Sequence, residues 1–90
     1  MNKNELIAKV ATETNLTKAD CQRVLDACID VTKKCVKKGE EVRLVGFGTY
    51  VRSKRSARKG RNPQTGKEIQ IKAAWVPKFR AGKEFKDYVK

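Results

Sequence analysis

Apolar positions along this chain follow two rhythms, one helical and one alternating, and each predicts its own elements. Leu6, Ile7, Val10 and Ala11 recur at helical spacing behind Asn2, whose side chain can cap the first turn while Glu5 reaches back to it. Asn15 suits a left-handed cap at the far end of that helix. A longer helix opens at Thr17, with Asp20 completing a capping box and Leu16 and Cys21 placed for a hydrophobic staple. Its apolar stripe runs Cys21, Val24, Leu25, Cys28, Val31, Cys35 and Val36, with Asp26, Asp30, Lys33, Lys34 and Lys37 largely opposite, and Gly39 ends it. Widened by Ile29, the stripe spans roughly 160° of the wheel, wider than one packed neighbour covers. That width predicts burial on two sides, hence a partner subunit.

The rhythm then changes to alternation. Val42 and Leu44 flank Arg43, Gly46-Phe47-Gly48 makes a turn, and Thr49-Tyr50-Val51 resumes an extended pattern. Ile69 and Ile71 alternate with Gln70 and Lys72 in a later strand, and Val76 and Phe79 continue the sheet. Between the strands lies Gly60-Arg61-Asn62-Pro63-Gln64-Thr65-Gly66, a turn-rich tip bounded by glycines. Strand, tip and strand together read as a long hairpin. A short last helix is predicted from Lys83 to Val89, with Phe85, Tyr88 and Val89 apolar.

Composition sharpens this picture. Ninety residues make one domain at most, and 36% of them are charged, well above the usual quarter. The excess is one-sided, a net +12. A pI near 10 points to a polyanionic partner: DNA, RNA or an anionic membrane surface. Two prolines and a clear apolar pattern exclude collagen-like, mucin-like and low-complexity chains.

The charge is also concentrated. Residues 52–72 hold Arg52, Lys54, Arg55, Arg58, Lys59, Arg61, Lys67 and Lys72 against Glu68 alone, more than half of the net charge on a quarter of the chain. The same segment lacks any aromatic residue, whereas binders of single strands and of RNA use aromatic platforms on which bases stack. A two-stranded cationic ribbon with a rigid proline at its apex suits a duplex groove. Its cations would meet phosphates while the compact, fixed ring of Pro63 pushes between base pairs.

Several absences matter. Histidine is missing, which removes the commonest general base and metal ligand, and no glycine-rich phosphate loop or carboxylate cluster replaces it, so an enzyme is not expected. Glu40-Glu41 reads as an exposed loop between helix and strand. No apolar run reaches the length of a membrane span, and Met1-Asn2-Lys3-Asn4-Glu5 lacks the apolar core of a signal peptide. A reducing, cytoplasmic compartment is therefore expected. Cys21, Cys28 and Cys35 recur every seven residues on one helical face, so neighbours lie roughly 10 Å apart, beyond disulfide reach. They read as small core residues, with a redox or metal role shared between two subunits as the alternative. Within the chain no metal site and no cofactor are expected.

The core expectation follows from size. With half of the hairpin in solvent, roughly 70 residues must form the body, and a core that small rarely supplies more than about 3–5 kcal/mol. An obligate dimer is expected, its core including Leu6, Val24, Leu25, Cys28, Leu44, Phe47, Tyr50 and Phe79.

The chain resembles the bacterial HU and integration host factor family essentially end to end. The resemblance is carried by Val45-Gly46-Phe47-Gly48-Thr49, by Gly60-Arg61-Asn62-Pro63-Gln64-Thr65-Gly66-Lys67-Glu68-Ile69, and by Val76-Pro77 through Phe79 with Ala81-Gly82-Lys83. It implies an α+β fold in an intertwined dimer: a helical base, an antiparallel sheet saddle and two extended β-hairpin arms. One domain, 1–90, would then divide into a helical dimerisation base with the start of the sheet (1–51), a β-arm (52–72), and a last strand with the C-terminal helix (73–90). It further implies that the arms embrace the minor groove, that Pro63 intercalates, and that Arg55, Arg58 and Arg61 contact backbone and groove with Asn62 and Gln64 at the tip. Lys3, Lys83 and Lys86 would hold flanking DNA as it bends. The family compacts the nucleoid with little sequence preference and favours nicked, gapped or kinked duplexes.

Three positions depart from the family pattern. Tyr50 stands where phenylalanine is common, and Ser53 replaces a lysine of many relatives. Trp75 stands where a small or basic residue is usual; it reads as a residue covering the sheet, with contact to DNA or protein as the alternative. The functional expectation is an architectural double-stranded DNA binder, with RNA binding as the secondary reading and membrane association disfavoured for want of a basic amphipathic helix. A homodimer and a heterodimer with a paralogue both stay open.

Overall fold

Helix ends in this protein follow local chemistry. In the computed structural model, which describes residues 1–90, α1 (Lys3–Thr14) starts where Asn2 Oδ1 accepts the Glu5 amide at 2.9 Å and stops at Asn15, in the left-handed region at φ 59°. Helix α2 (Lys18–Lys38) starts where Thr17 Oγ1 accepts the Asp20 amide at 3.1 Å. It ends in a Schellman motif: Gly39, at φ 91°, donates to the Val36 carbonyl, and Glu40 donates to that of Cys35. All four expected helix ends are formed, although Glu5 contributes its amide and makes no return bond through its carboxylate.

Two compact units divide the chain, residues 1–34 and 35–90. In the first, Ile7 and Ala11 of α1 pack with Cys21 of α2, and Leu25 lies against them. Much of the rest of the α2 stripe stays uncovered: Val24 and Val31 are 60% and 58% exposed and Cys28 is exposed, while Cys35 and Val36 are half-buried. All three cysteines are free thiols.

The second unit is built on a three-stranded antiparallel sheet of order β1-β2-β5, formed by β1 (Val42–Leu44), β2 (Gly48–Arg55) and β5 (Ala74–Ala81). Pairing is in strict register, with Tyr50 opposite both Val42 and Phe79. Four rings close over this face: Phe47 lies 5.1 Å from Phe79 and 5.0 Å from Phe85, and Tyr50 lies 4.8 Å from Phe79. Phe85 comes from α3 (Lys83–Val89), tied to the β1–β2 turn by the Gly82 amide on the Phe47 carbonyl. Gly48 permits this approach, because a Cβ there would stand 2.5 Å from the Phe79 ring. No helix is long and apolar enough to cross a membrane.

The expected long hairpin is formed in one continuous register, but its pairing is split into two ladders. Strand β2 pairs with β5 as far as Arg55 opposite Ala74, and only beyond Ser56-Ala57 does a separate ribbon form from β3 (Arg58–Arg61) and β4 (Glu68–Ile71). Arg52, Lys54 and Arg55 therefore belong to the three-stranded sheet, and the ribbon proper covers residues 58–71.

Candidate nucleic-acid interface

The ribbon is short, and its register decides what each face offers. Arg58 opposite Ile71 and Gly60 opposite Ile69 share one face; Lys59 opposite Gln70 and Arg61 opposite Glu68 share the other. One face is thus apolar with a cation at its root, while the other is wholly polar. On the apolar side Gly60 lies close to Ile71, whose movable Cδ1 would stand 2.9 Å from a Cβ there.

Hydrogen bonds hold the tip in shape. Asn62 closes it through its amide on the Lys67 carbonyl at 2.9 Å and its own carbonyl under the Gly66 amide at 2.8 Å. Its side chain accepts the Gln64 amide at 2.9 Å, an Asx turn that wraps Pro63. Gly66, at φ 70°, supplies the left-handed residue that turns the chain back. Pro63 and Gln64 are exposed, and Asn62 is half-buried within the turn it organises.

The electrostatics are one-sided. Arg55, Arg58, Lys59, Arg61, Lys67 and Lys72 are all exposed. The chain forms five ion pairs, and none involves residues 52–72. Exposed cations that lack ion pairs repel one another within the screening length of physiological salt, about 8 Å. Arg55 spans the junction between the two ladders, with Nη2 donating to the Lys72 carbonyl at 3.4 Å.

Four expected cations, Lys3, Lys83, Lys86 and Arg52, are placed differently. Lys3, on α1, is paired with Asp26 of α2 at 2.5 Å. Lys83 and Lys86 are exposed on α3. Arg52 is drawn away from solvent, since its guanidinium donates to the Lys37 carbonyl at 3.2 Å and lies over the Trp75 ring, 4.0 Å from the centroid.

Register also reveals cations that the sequence reading passed over. Arg43 and Arg80 flank Thr49, Lys78 lies opposite Val51, and all share a sheet face with Ser53 and Arg55, away from the aromatic cluster. The signal was present as alternation, Arg43 between Val42 and Leu44 and Lys78 and Arg80 around Phe79, but charge counting over 52–72 left it unused. Arg80 is held by Glu41 at 3.4 Å. No cluster of three or more potential metal-binding side chains is present.

The profile of the bacterial DNA-binding protein family matches residues 1–90. The chain is 55% identical over 89 residues to the DNA-binding protein HU of Streptococcus mutans, covering 99% of this chain and 98% of that one. It is equally similar to HU-beta of Escherichia coli strain K12, covering 99% of each. The chain belongs to the bacterial HU family. Among solved structures, the Anabaena HU–DNA cocrystal structure superposes with a TM-score of 0.96 at 43% identity, over 99% of this chain and 97% of that one. HU from Thermotoga maritima matches over the full length of both chains at a TM-score of 0.71 and 33% identity. The α+β fold is that of these HU proteins. Its curated relatives are named DNA-binding proteins, and this chain is not an enzyme.

Proposed function

We propose that this chain is an architectural double-stranded DNA-binding protein, acting as a dimer whose ribbons enter the minor groove. The observation that carries the reading is the ribbon: exposed cations without a single ion pair, no aromatic platform, and a proline held exposed at a hydrogen-bonded tip. Arg55, Arg58, Lys59, Arg61, Lys67 and Lys72 meet phosphates and sugar edges, with Lys54 beside them at the arm root; Asn62 and Gln64 shape the tip, and Pro63 intercalates. The apolar face bearing Ile69 and Ile71 suits the sugar walls of a groove. Lys3, Lys83 and Lys86 guide flanking duplex, joined by Arg43, Lys78 and Arg80 on the sheet.

Phosphate contacts carry no sequence information, so binding is weakly specific and strongly salt-dependent. Opening a base step costs a few kcal/mol, less where stacking is already broken, so nicked, gapped or kinked DNA is preferred. Bending by many copies compacts DNA, which places the protein in the cytoplasm on the nucleoid. The dimer is a homodimer, or a heterodimer with a paralogue.

The test is a salt-titrated binding series on intact duplex, nicked duplex, four-way junction and single-stranded RNA. Tightest binding to nicked duplex and junction supports the proposal. Tighter binding to single-stranded RNA at matched salt assigns RNA as the partner instead.

A further inference from the structure

Arg52 makes contacts within the protein that phosphate binding does not call for. Arg52 lies at the end of the body sheet from which β2 and β5 depart toward the ribbon, and its side chain turns back. Nη1 donates to the Lys37 carbonyl in the last turn of α2. The guanidinium sits so close to Gly39 that a Cβ there would stand 3.0 Å from Nη2. Its other side lies over the Trp75 ring at 4.0 Å, and Lys54 Nζ approaches the same ring at 6.0 Å. Arg52, Lys54, Trp75 and Pro77 share one sheet face, since Arg52 pairs with Pro77 and Lys54 with Trp75. Both neighbours favour a cation: free carbonyls at a helix C-terminus carry partial negative charge, and so does the face of an indole.

We propose that Arg52 and Trp75 form a clasp that positions the root of the DNA-binding arm. Arg52 is then a positioning residue rather than a phosphate contact. It pins β2 to the C-terminal end of α2, while Trp75 pins β5 to the same guanidinium, so the two strands leading to the ribbon leave the sheet in one fixed orientation. A planar fork is needed to bond a carbonyl and stack on a ring together, and a lysine ammonium does not replace it. The proposal rests on the reading of the ribbon as a DNA arm.

The test uses the full chain with Arg52→Met, Arg52→Lys, Trp75→Ala, Trp75→Phe and the Arg52→Met/Trp75→Ala pair. Trp75 is the single tryptophan, so its emission reports the clasp without DNA. A changed emission in Arg52→Met and Arg52→Lys is expected. On duplex labelled at both ends, Arg52→Met, Arg52→Lys and Trp75→Ala should each lower the bent fraction and weaken binding about two- to fivefold, the range of an exposed cation–π contact. The double variant should lose no more than either single one, the salt slope should stay that of the wild type, and Trp75→Phe should recover most of the bend. Melting curves show whether each variant is folded, and Arg52→Lys keeps the test open should Arg52→Met unfold.

Unchanged emission in the Arg52 variants overturns the clasp. So does a salt slope lowered by about one unit in Arg52→Met and restored by Arg52→Lys, the signature of a phosphate contact. Additive losses in the double variant overturn it too. A wild type that leaves duplex straight sinks the DNA reading, and the clasp is then judged on the emission of the free protein alone.

Discussion

Arg61 and Pro63 stand two residues apart, yet replacing them should produce different failures. Arg61 is an exposed cation on the polar face of the ribbon, without an ion-pair partner. Its charge acts on phosphate and its loss has no sequence dependence. Arg61→Ala should weaken all duplexes alike and flatten the slope of log affinity against log salt by about one unit, as read from salt titrations. Pro63 carries no charge, so Pro63→Ala should leave that slope alone. Bending of intact duplex should fall in an end-to-end energy-transfer assay, while affinity for nicked duplex should change little, because stacking at the nick is already lost. Equal losses on both substrates would remove the wedge from the mechanism. Lys3 presents a third behaviour: Asp26 already offsets its charge, both side chains being about half exposed. Asp26→Asn should strengthen binding to long duplexes that reach the body and leave short duplexes unaffected, as measured on a length series.

At the level of elements, the sheet depends on one residue without a side chain. Gly48 is buried, and a Cβ there would meet the Phe79 ring at 2.5 Å and the Arg80 carbonyl at 2.6 Å. Backbone cannot yield as a flexible side chain does, so Gly48→Ala should destabilise by about 1–3 kcal/mol, the range for an overpacked core, visible in thermal or urea melts. Gly66→Ala meets no neighbour within 4 Å, so its cost is confined to the left-handed backbone, about 1–2 kcal/mol. These elements differ in how far they could be read from the chain. Helix ends were legible to the residue because Asn2, Thr17, Asn15 and Gly39 act on their immediate neighbours. The last helix, Lys83–Val89, was legible from the spacing of Phe85, Tyr88 and Val89 instead, since no side chain caps it. The break of the hairpin at Ser56-Ala57 was not, because it is set by where β5 stops pairing with β2, a relation between residues far apart in sequence. The turn of Arg52 toward the end of α2 was hidden likewise. Counted by charge it joins the arm; placed by register it lies with Pro77 and Trp75 over a helix terminus.

Across the whole molecule, a single chain leaves much of its apolar surface uncovered. Its buried hydrophobic residues are Ile7, Ala11, Cys21 and Val51. Of the side chains expected in a dimer core, Leu6, Val24, Leu44 and Phe47 are between 41% and 60% exposed, Cys28 is exposed, and Leu25, Tyr50 and Phe79 are half-buried. Within one chain no disulfide forms and no cluster of three or more metal-binding side chains occurs. Exposed ion pairs such as Lys34–Asp30 contribute at most about 1 kcal/mol. In the proposed dimer a second copy covers those side chains, and folding and association become one event. Mass action then requires that the melting temperature rise with protein concentration, by roughly 3–5 °C for each tenfold increase in a dimer of this size. Val24→Asp sharpens the test, because Val24 is 60% exposed in one chain and a carboxylate there would cost little in a monomer. In the dimer that carboxylate would be buried without a partner and should abolish cooperative melting. A melting temperature independent of concentration, together with a folded Val24→Asp monomer in ultracentrifugation, would show that four buried side chains suffice, and both the dimer and the paired arms would have to be abandoned.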